Sequence, residues 1–415
     1  MTVELISVGT ELLLGNIVNT NANYLSRKCA ELGFALYYQI TVGDNEERLC
    51  EVLKSALQRS DIVILTGGLG PTQDDMTKEA VAKVLNRELI MDEVSRDRIT
   101  SYFKFRNKGS SGNVTNNNWK QALKISDSIV VENNNGTAPG YIVEAEGKTT
   151  ILLPGPPFEM LPMFENSIFP YLKQKQDKVF LSKMIKICGI GESKAETDIL
   201  DLIESQSNPT IAPYAKNGEV HFRITAAANS SEEANELLKP ITEELFRRFG
   251  SNIYSAREEE TLEEVVVKLL LQKKYTLSTA ESCTGGLLTG CLVNVSGVSE
   301  VLKEGFITYS NEAKMKYLGV NENTLIKYGA VSVETAKEMV IGAVKATGSN
   351  AALAITGIAG PEGGSPIKPV GLVYIACYVN GKVTVQEHYM KGNRLKVREL
   401  SVIYALDLLR RSLEA

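Results

Sequence analysis

Residues Tyr275–Gly286 read YTLSTAESCTGG, and the run that follows sets Leu287, Leu288, Cys291, Leu292 and Val295 at helical spacing. A buried strand, a Ser/Thr/Gly turn and an amphipathic helix in direct succession form a unit typical of layered α/β domains. The same order occurs earlier. Asp61–Thr66 is an apolar run rich in β-branched residues, Thr66–Asp75 reads TGGLGPTQDD, and Asp75–Leu85 has a helical pattern. In sheets built this way the loops at the carboxyl ends of the strands hold the ligands. Both turns are therefore candidate sites.

The rest of the pattern extends these two units. Val3–Val8, Ala35–Val42, Asp61–Thr66 and Thr149–Leu153 read as strands, with helices at Asn21–Leu32, Glu46–Leu57 and Asp75–Leu85. This predicts a three-layer α/β domain with a mainly parallel sheet over residues 1–172, whose last strand ends in the rigid turn Leu153–Pro157 (LPGPP). Residues 173–255 predict a small α+β module: strand Phe180–Cys188, helix Lys194–Ser205, a hairpin through Lys216-Asn217-Gly218 into Val220–Ala226, and helix Ser231–Phe249. Residues 256–415 predict a second layered α/β domain with a hairpin at Asn380-Gly381 and a final helix at Leu395–Leu413. The expected fold class is thus α/β, two three-layer α/β/α domains joined by a small α+β domain. Asn113–Asn118 and Asn133–Asn135 read as an Asn-rich loop region.

Composition narrows the chemistry. A chain of 415 residues exceeds one ordinary core, and its 43% hydrophobic and 23% charged residues are those of a globular protein. No run of about 18 apolar residues suggests a membrane span, and a strand beginning at Val3 leaves no room for a signal peptide, so a cytoplasmic location is expected. Six scattered cysteines form no closely spaced pair and read as reduced, mostly buried thiols. The net charge of −5 argues against broad nucleic-acid binding. His221 and His388 are the two histidines, and neither adjoins a Gly-rich turn, so a general base has to come from Lys, Asp or Glu.

In the first turn, Gly67, Gly68 and Gly70 permit close backbone approach to a phosphate, and the following helix N-terminus adds positive potential. Asp74 and Asp75 are hard oxygen ligands suited to Mg²⁺ beside a pyrophosphate; the competing reading is a helix cap. Neither GxGxxG nor GxxxxGK[ST] is present. In the second turn Ser282 is the candidate nucleophile, with Cys283 its rival and helix capping the structural alternative. Thr284, Gly285 and Gly286 offer donors for an anion or oxyanion. Tyr309–Lys314 (YSNEAK) supplies Lys314, a base if buried and a solvated surface charge otherwise. It also supplies Tyr309, which suits stacking on a substrate ring or a place in the core. Thr356 with the loop Gly357–Gly364, including Gly360, offers a second donor-rich turn. Arg394 and Arg398 open the last helix, where they oppose its dipole, and suit a phosphate clamp. These parts suit hydrolysis of a small phosphate-bearing amide.

The ordered motifs Gly9-Thr10-Glu11-Leu12-Leu13 with Gly15, TGGLGPTQDD, Asn118 with Lys120-Gln121-Ala122, Gly136–Gly140 (GTAPG), Pro154–Pro157, AESCTGG, YSNEAK and ITGIAGPEGG resemble the competence/damage-inducible CinA family along essentially the whole chain. The resemblance implies a molybdopterin-binding-like first domain with metal-dependent ADP-ribose pyrophosphatase activity, a KH-like middle domain, and a C-terminal nicotinamide-mononucleotide deamidase. It implies Ser282, Lys314 and Tyr309 as catalytic residues. Thr10, Gly67, Gly68, Gly70 and Thr72 would contact one nucleotide and Thr284–Gly286, Thr356, Gly357, Gly360, Arg394 and Arg398 the other. Asp74, Asp75 and Glu159 would hold Mg²⁺ or Co²⁺, with no metal at the deamidase site. The middle segment departs from an RNA-binding GxxG loop, reading Gly189-Ile190-Gly191-Glu192, and the acid works against a phosphate backbone. That domain is expected to serve as a lid or dimer contact, the partners being nucleotides, with neither nucleic acid nor membrane, in a homodimer. Three readings stand: a bifunctional hydrolase, a deamidase with a nucleotide-sensing first domain, and a molybdopterin-binding protein of cofactor assembly.

Overall fold

A computed structural model describes residues 1–106 and 115–415. Met1–Leu181 with Ala227–Ala234 form one compact unit, and Ser182–Ala226 with Asn235–Ala415 form a second.

In the first unit the elements are β1 (Thr2–Val8), α1 (Thr10–Leu13), α2 (Thr20–Glu31), β2 (Ala35–Val42), α3 (Glu46–Arg59), β3 (Ile62–Thr66), α4 (Thr77–Val84), β4 (Leu89–Met91), α5 (Glu93–Arg106), β5 (Leu123–Ile125), β6 (Ile129–Val131), β7 (Gly140–Ala145), β8 (Lys148–Leu153), α6 (Pro157–Met163) and α7 (Phe169–Lys173). The sheet order is β2-β1-β3-β8-β7-β6, parallel across β2, β1, β3 and β8 and antiparallel beyond. Alternating side chains feed two cores. Val3, Leu5, Ile62 and Ile64 pack with Leu25, Cys29 and Phe164 on one face, while Ile6, Val8, Val63 and Leu65 pack with Leu49, Leu53 and Val81 on the other. A mainly parallel three-layer domain is what the apolar runs predicted. Helix α4 begins at Thr77, so Asp75 lies before it in the turn. Of the Asn-rich stretch, residues 113 and 114 lie outside the described residues, and Asn116–Ala122 forms a 3-10 turn.

In the middle segment, β9 (Val179–Cys188), α8 (Glu192–Thr197), α9 (Leu200–Glu204), β10 (Thr210–Lys216), β11 (Glu219–Ala228), α10 (Ser231–Phe249) and β12 (Ile253–Ser255) give the sheet order β10-β11-β9-β12. The single helix expected over Lys194–Ser205 is two short ones, because the chain leaves helical geometry at Ile199, where φ is −128° and ψ is 16°.

The C-terminal segment comprises α11 (Leu262–Lys273), β13 (Leu277–Glu281), α12 (Leu287–Val293), β14 (Leu302–Ile307), α13 (Asn311–Leu318), α14 (Glu322–Tyr328), α15 (Val333–Thr347), β15 (Ala351–Gly357), β16 (Leu372–Val379), β17 (Lys382–Tyr389) and α16 (Arg394–Glu414). Its sheet runs β14-β13-β15-β16-β17, with β13 parallel to both neighbours and the last two pairs antiparallel. One face, with Leu277, Leu353, Ile355 and Ile375, packs on α11 and α16. The other is lined by Ala280, Ala352, Ala354 and Ala376, whose small side chains accommodate Met339 and Val340 of α15. At its far end α16 carries Arg410, fully buried, which donates to Asp407 Oδ1, to Glu414, and to the carbonyls of Ser251 at 2.6 Å and Ile253 at 3.5 Å. Arg411 donates to Asp407 and to Cys188 O. Among the described residues no helix is long and apolar enough to cross a membrane.

Candidate active site

The second turn leaves β13 at its carboxyl end, between two parallel neighbours. The Ser282 N–H donates to Ile355 O of β15 at 3.0 Å, and Thr308 N donates to Glu281 O at 2.8 Å, so the backbone at Ser282 is tied to both flanking segments. Ser310 caps α13 by accepting from Ala313 N, and this brings Lys314 inward. Lys314 is fully buried, and its Nζ lies 3.0 Å from Ser282 Oγ, 2.8 Å from Thr308 O and 3.2 Å from Tyr309 O. Burial lowers the Lys314 pKa to about 8. A protonated ammonium donates to all three oxygens. A neutral amine donates to the two carbonyls and turns its lone pair toward the Ser282 hydroxyl, the arrangement a general base requires. The surface-lysine alternative is therefore excluded by position.

Cys283 is also buried, which pushes its thiol up to about 11 and leaves little thiolate near neutrality. The Ser282 hydroxyl, not this thiol, meets the lysine. Around the pair, Arg398 donates to Thr284 O at 2.7 Å, and Arg394 donates to Gly360 O at 2.8 Å and to the Tyr309 hydroxyl at 3.3 Å. Tyr309 is 62% exposed, so it belongs to the mouth of the site and not to the core. Among the described residues the buried hydroxyls of Thr284 and Thr308 have no partner. Thr356 is not joined to this set, since its hydroxyl donates to Ala330 O at 2.7 Å. Gly357 is a packing glycine, because a Cβ there would lie 2.7 Å from Val373 Cγ2.

One residue escaped the sequence reading. Glu281 is fully buried, and its carboxylate accepts from the N–H groups of Gly286 at 2.9 Å, Leu288 at 3.1 Å and Thr289 at 2.8 Å. The expectation that the start of α12 offers free N–H groups is therefore corrected: Gly286 and the first turn of the helix already have an internal anion. Gly285 N donates to Ser282 O, so among the described residues the turn's remaining backbone donors are the N–H groups of Cys283 and Thr284, both in buried residues. The signal was present as an acid at the end of a strand whose other residues are uncharged.

In the first unit the Gly-rich turn is drawn tight. Gly67 and Gly68 have φ of 99° and 66°, and a Cβ on either would lie 2.1 Å from Val8 O or 2.2 Å from Thr77 Oγ1. Asp75 does not cap α4. Its carboxylate accepts from Thr72 N at 2.9 Å and from the Thr72 hydroxyl, and Gly70 leaves room for it. Thr10 donates N–H and hydroxyl to Asp44, at 2.9 and 2.8 Å. Asp74 is exposed on the turn. Glu159 accepts from Asn133 Nδ2 at 2.6 Å. Among the described residues no three His, Cys, Asp or Glu side chains gather to hold a metal ion, so Asp74, Asp75 and Glu159 are not brought together as one ligand set. Lys120 ties the turn by donating to Thr72 O and Asp75 O. Buried Lys78, unnoticed in the sequence, donates to Lys120 O at 2.6 Å, and burial lowers its pKa to about 8.

Family comparisons match residues 4–174 to a probable molybdopterin binding domain, 182–255 to the damage-inducible protein CinA KH domain, and 259–413 to the CinA C-terminal domain. A Clostridium beijerinckii protein named for competence and damage induction is 54% identical over 413 residues, covering 100% of both chains. CinA-like proteins of Kosmotoga olearia and Dictyoglomus turgidum are each 52% identical, over 100% of this chain and 99% of theirs. Among solved structures, competence/damage inducible protein CihA from Agrobacterium tumefaciens is 44% identical over 37% of this chain and 94% of that one, with a TM-score of 0.36. On full-length identity above one half, the chain belongs to the CinA family of competence/damage-inducible proteins.

Proposed function

We propose that the C-terminal segment hydrolyses the carboxamide of nicotinamide mononucleotide to nicotinate mononucleotide and ammonia. The observation that carries this reading is the buried Ser282–Lys314 pair, 3.0 Å apart, with the lysine pKa lowered to about 8. Neutral Lys314 takes the Ser282 proton as Oγ attacks the carboxamide carbon. The N–H groups of Cys283 and Thr284 stabilise the oxyanion. The lysinium then protonates the departing nitrogen, which leaves as ammonia. Water attacks the acyl-serine with Lys314 again as base, and the acid departs. Arg394 and Arg398 supply charge for the substrate phosphate, and exposed Tyr309 supplies a face for the pyridine ring.

In the same reading the first unit cleaves ADP-ribose to AMP and ribose 5-phosphate, with Gly67, Gly68 and Gly70 giving backbone access and Thr10 and Thr72 polar contacts. A divalent ion, Mg²⁺ or Co²⁺, would neutralise the pyrophosphate. A second reading makes this unit a nucleotide sensor without chemistry of its own. It is favoured by the engagement of Asp75 with Thr72 and of Glu159 with Asn133.

Two assays test the proposal: ammonia release from nicotinamide mononucleotide, and AMP release from ADP-ribose with Mg²⁺ or Co²⁺. Ammonia release is expected to require Ser282 and Lys314. No ammonia from the intact protein refutes the deamidase, and ADP-ribose binding without AMP formation selects the sensor.

A further inference from the structure

We infer that Glu281 is a positioning residue for the amide hydrolysis proposed above: its carboxylate locks the turn that aims the Ser282 hydroxyl and the Cys283 and Thr284 N–H groups at one carbonyl. The inference rests on that reading of the site. Glu281 ends β13, immediately before the nucleophile, and is fully buried. Oε2 accepts from Gly286 N and Leu288 N, and Oε1 accepts from Thr289 N at 2.8 Å and Thr289 Oγ1 at 2.6 Å. The Thr289 hydroxyl, having donated to Glu281, accepts in turn from Thr279 Oγ1 at 2.6 Å. Four donors hold one carboxylate, and among the described residues no lysine or arginine pairs with it.

Such a group is placed by its donors, and it fixes them in return. The segment between Ser282 and α12 turns through Gly285 and Gly286 at φ of 60° and 94°, conformations that glycine adopts but does not enforce. The enforcement comes from Glu281, which grips the chain on the far side of both glycines. Its backbone completes a closed circuit. Glu281 O accepts from Thr308 N, Thr308 O accepts from Lys314 Nζ, and that Nζ reaches Ser282 Oγ, the next residue along the chain from Glu281. Nucleophile, base and turn are thus referenced to one residue that touches neither the substrate nor the transferred proton. Its contribution belongs in the transition state, where misplacement of reacting groups by about 1 Å costs on the order of 100-fold.

The test uses the full chain. Glu281→Gln keeps the shape, but its amide NH₂ faces N–H donors, so only one of the two oxygens' worth of acceptors survives. kcat for nicotinamide mononucleotide is expected to fall about 100-fold with KM within about threefold. The pH midpoint set by Lys314 should stay in place. Labelling of Ser282 by a serine-directed fluorophosphonate should slow in parallel with kcat. Thr289→Val, which removes one donor and leaves the helix intact, should lower kcat about tenfold by the same pattern, and it keeps the test alive if the Gln variant does not fold. Retention of full kcat by either folded variant overturns the inference, as does a loss expressed mainly in KM or a displaced pH midpoint. If the unsubstituted protein releases no ammonia, the deamidase reading has failed instead.

Discussion

The Lys314 amine is the most exposed point of the mechanism to measurement. With a pKa of about 8 its neutral fraction at pH 7 is roughly one tenth, against roughly four in ten thousand at the ordinary lysine value near 10.4, a gain of roughly 200-fold in competent base. The base must be neutral, so kcat/KM should rise as pH increases through about 8 and level off above it. The assay is ammonia release from nicotinamide mononucleotide between pH 6 and 10 at low substrate, with roughly tenfold steps per pH unit on the rising limb. Lys314→Met should lower kcat by about 10³-fold and abolish the limb. Lys314→Arg should not rescue, because guanidinium stays protonated and its fork is larger than the fully enclosed ammonium site. A profile flat through pH 8, a limb centred near 10.4, or an arginine variant within tenfold of the parent would refute the general-base argument and leave Lys314 as a fixed charge.

Ser282→Ala should abolish ammonia release while Cys283→Ala retains most of it, since only the serine hydroxyl meets Nζ; the reverse outcome in a paired kinetic assay would reassign the nucleophile. EDTA should remove AMP release from ADP-ribose and leave ammonia release untouched; full cleavage in EDTA would end the metal proposal. Arg410→Met should destabilise the second unit by about 3 kcal/mol, read as a lowered urea midpoint, because it strands buried Asp407 and the Ser251 and Ile253 carbonyls. An unchanged midpoint would mean that Arg411 alone suffices.

Much of the fold was legible because its strands are short apolar runs interrupted by Gly-rich turns, a pattern that few architectures other than a layered sheet satisfy. Ser282, Lys314 and Arg394 could be picked out by type, since the first two sit beside turns and the last stands where a helix dipole disfavours it. Their burial could not. Helix α13 carries Lys314 and Lys316 two residues apart, and only the tertiary fold encloses the first and exposes the second. Glu281 was missed for a different reason. It caps a helix from six residues before that helix begins, reaching across a reverse turn, whereas capping signals are sought at the residue next to the first turn. Asp75 is the converse case: the sequence placed it where caps and metal ligands both occur, and the fold sets it ahead of the helix with Thr72 donating to its carboxylate.

Helix α16 spans 21 residues, about 31 Å at 1.5 Å per residue, with Arg394 and Arg398 at one end and Arg410 and Arg411 at the other. The leading pair grips Gly360, Thr284 and Tyr309, and the trailing pair grips Ser251, Ile253 and Cys188. A stiff rod pinned at both tips cannot shift at one without load at the other. Cutting the chain ahead of α11 would free the trailing tip and leave two guanidinium groups without the carbonyls they hold. The excised segment would keep the Ser282–Lys314 pair and the Asp407 and Glu414 ion pairs of its trailing arginines, but lose the anchor against which Arg394 and Arg398 are braced.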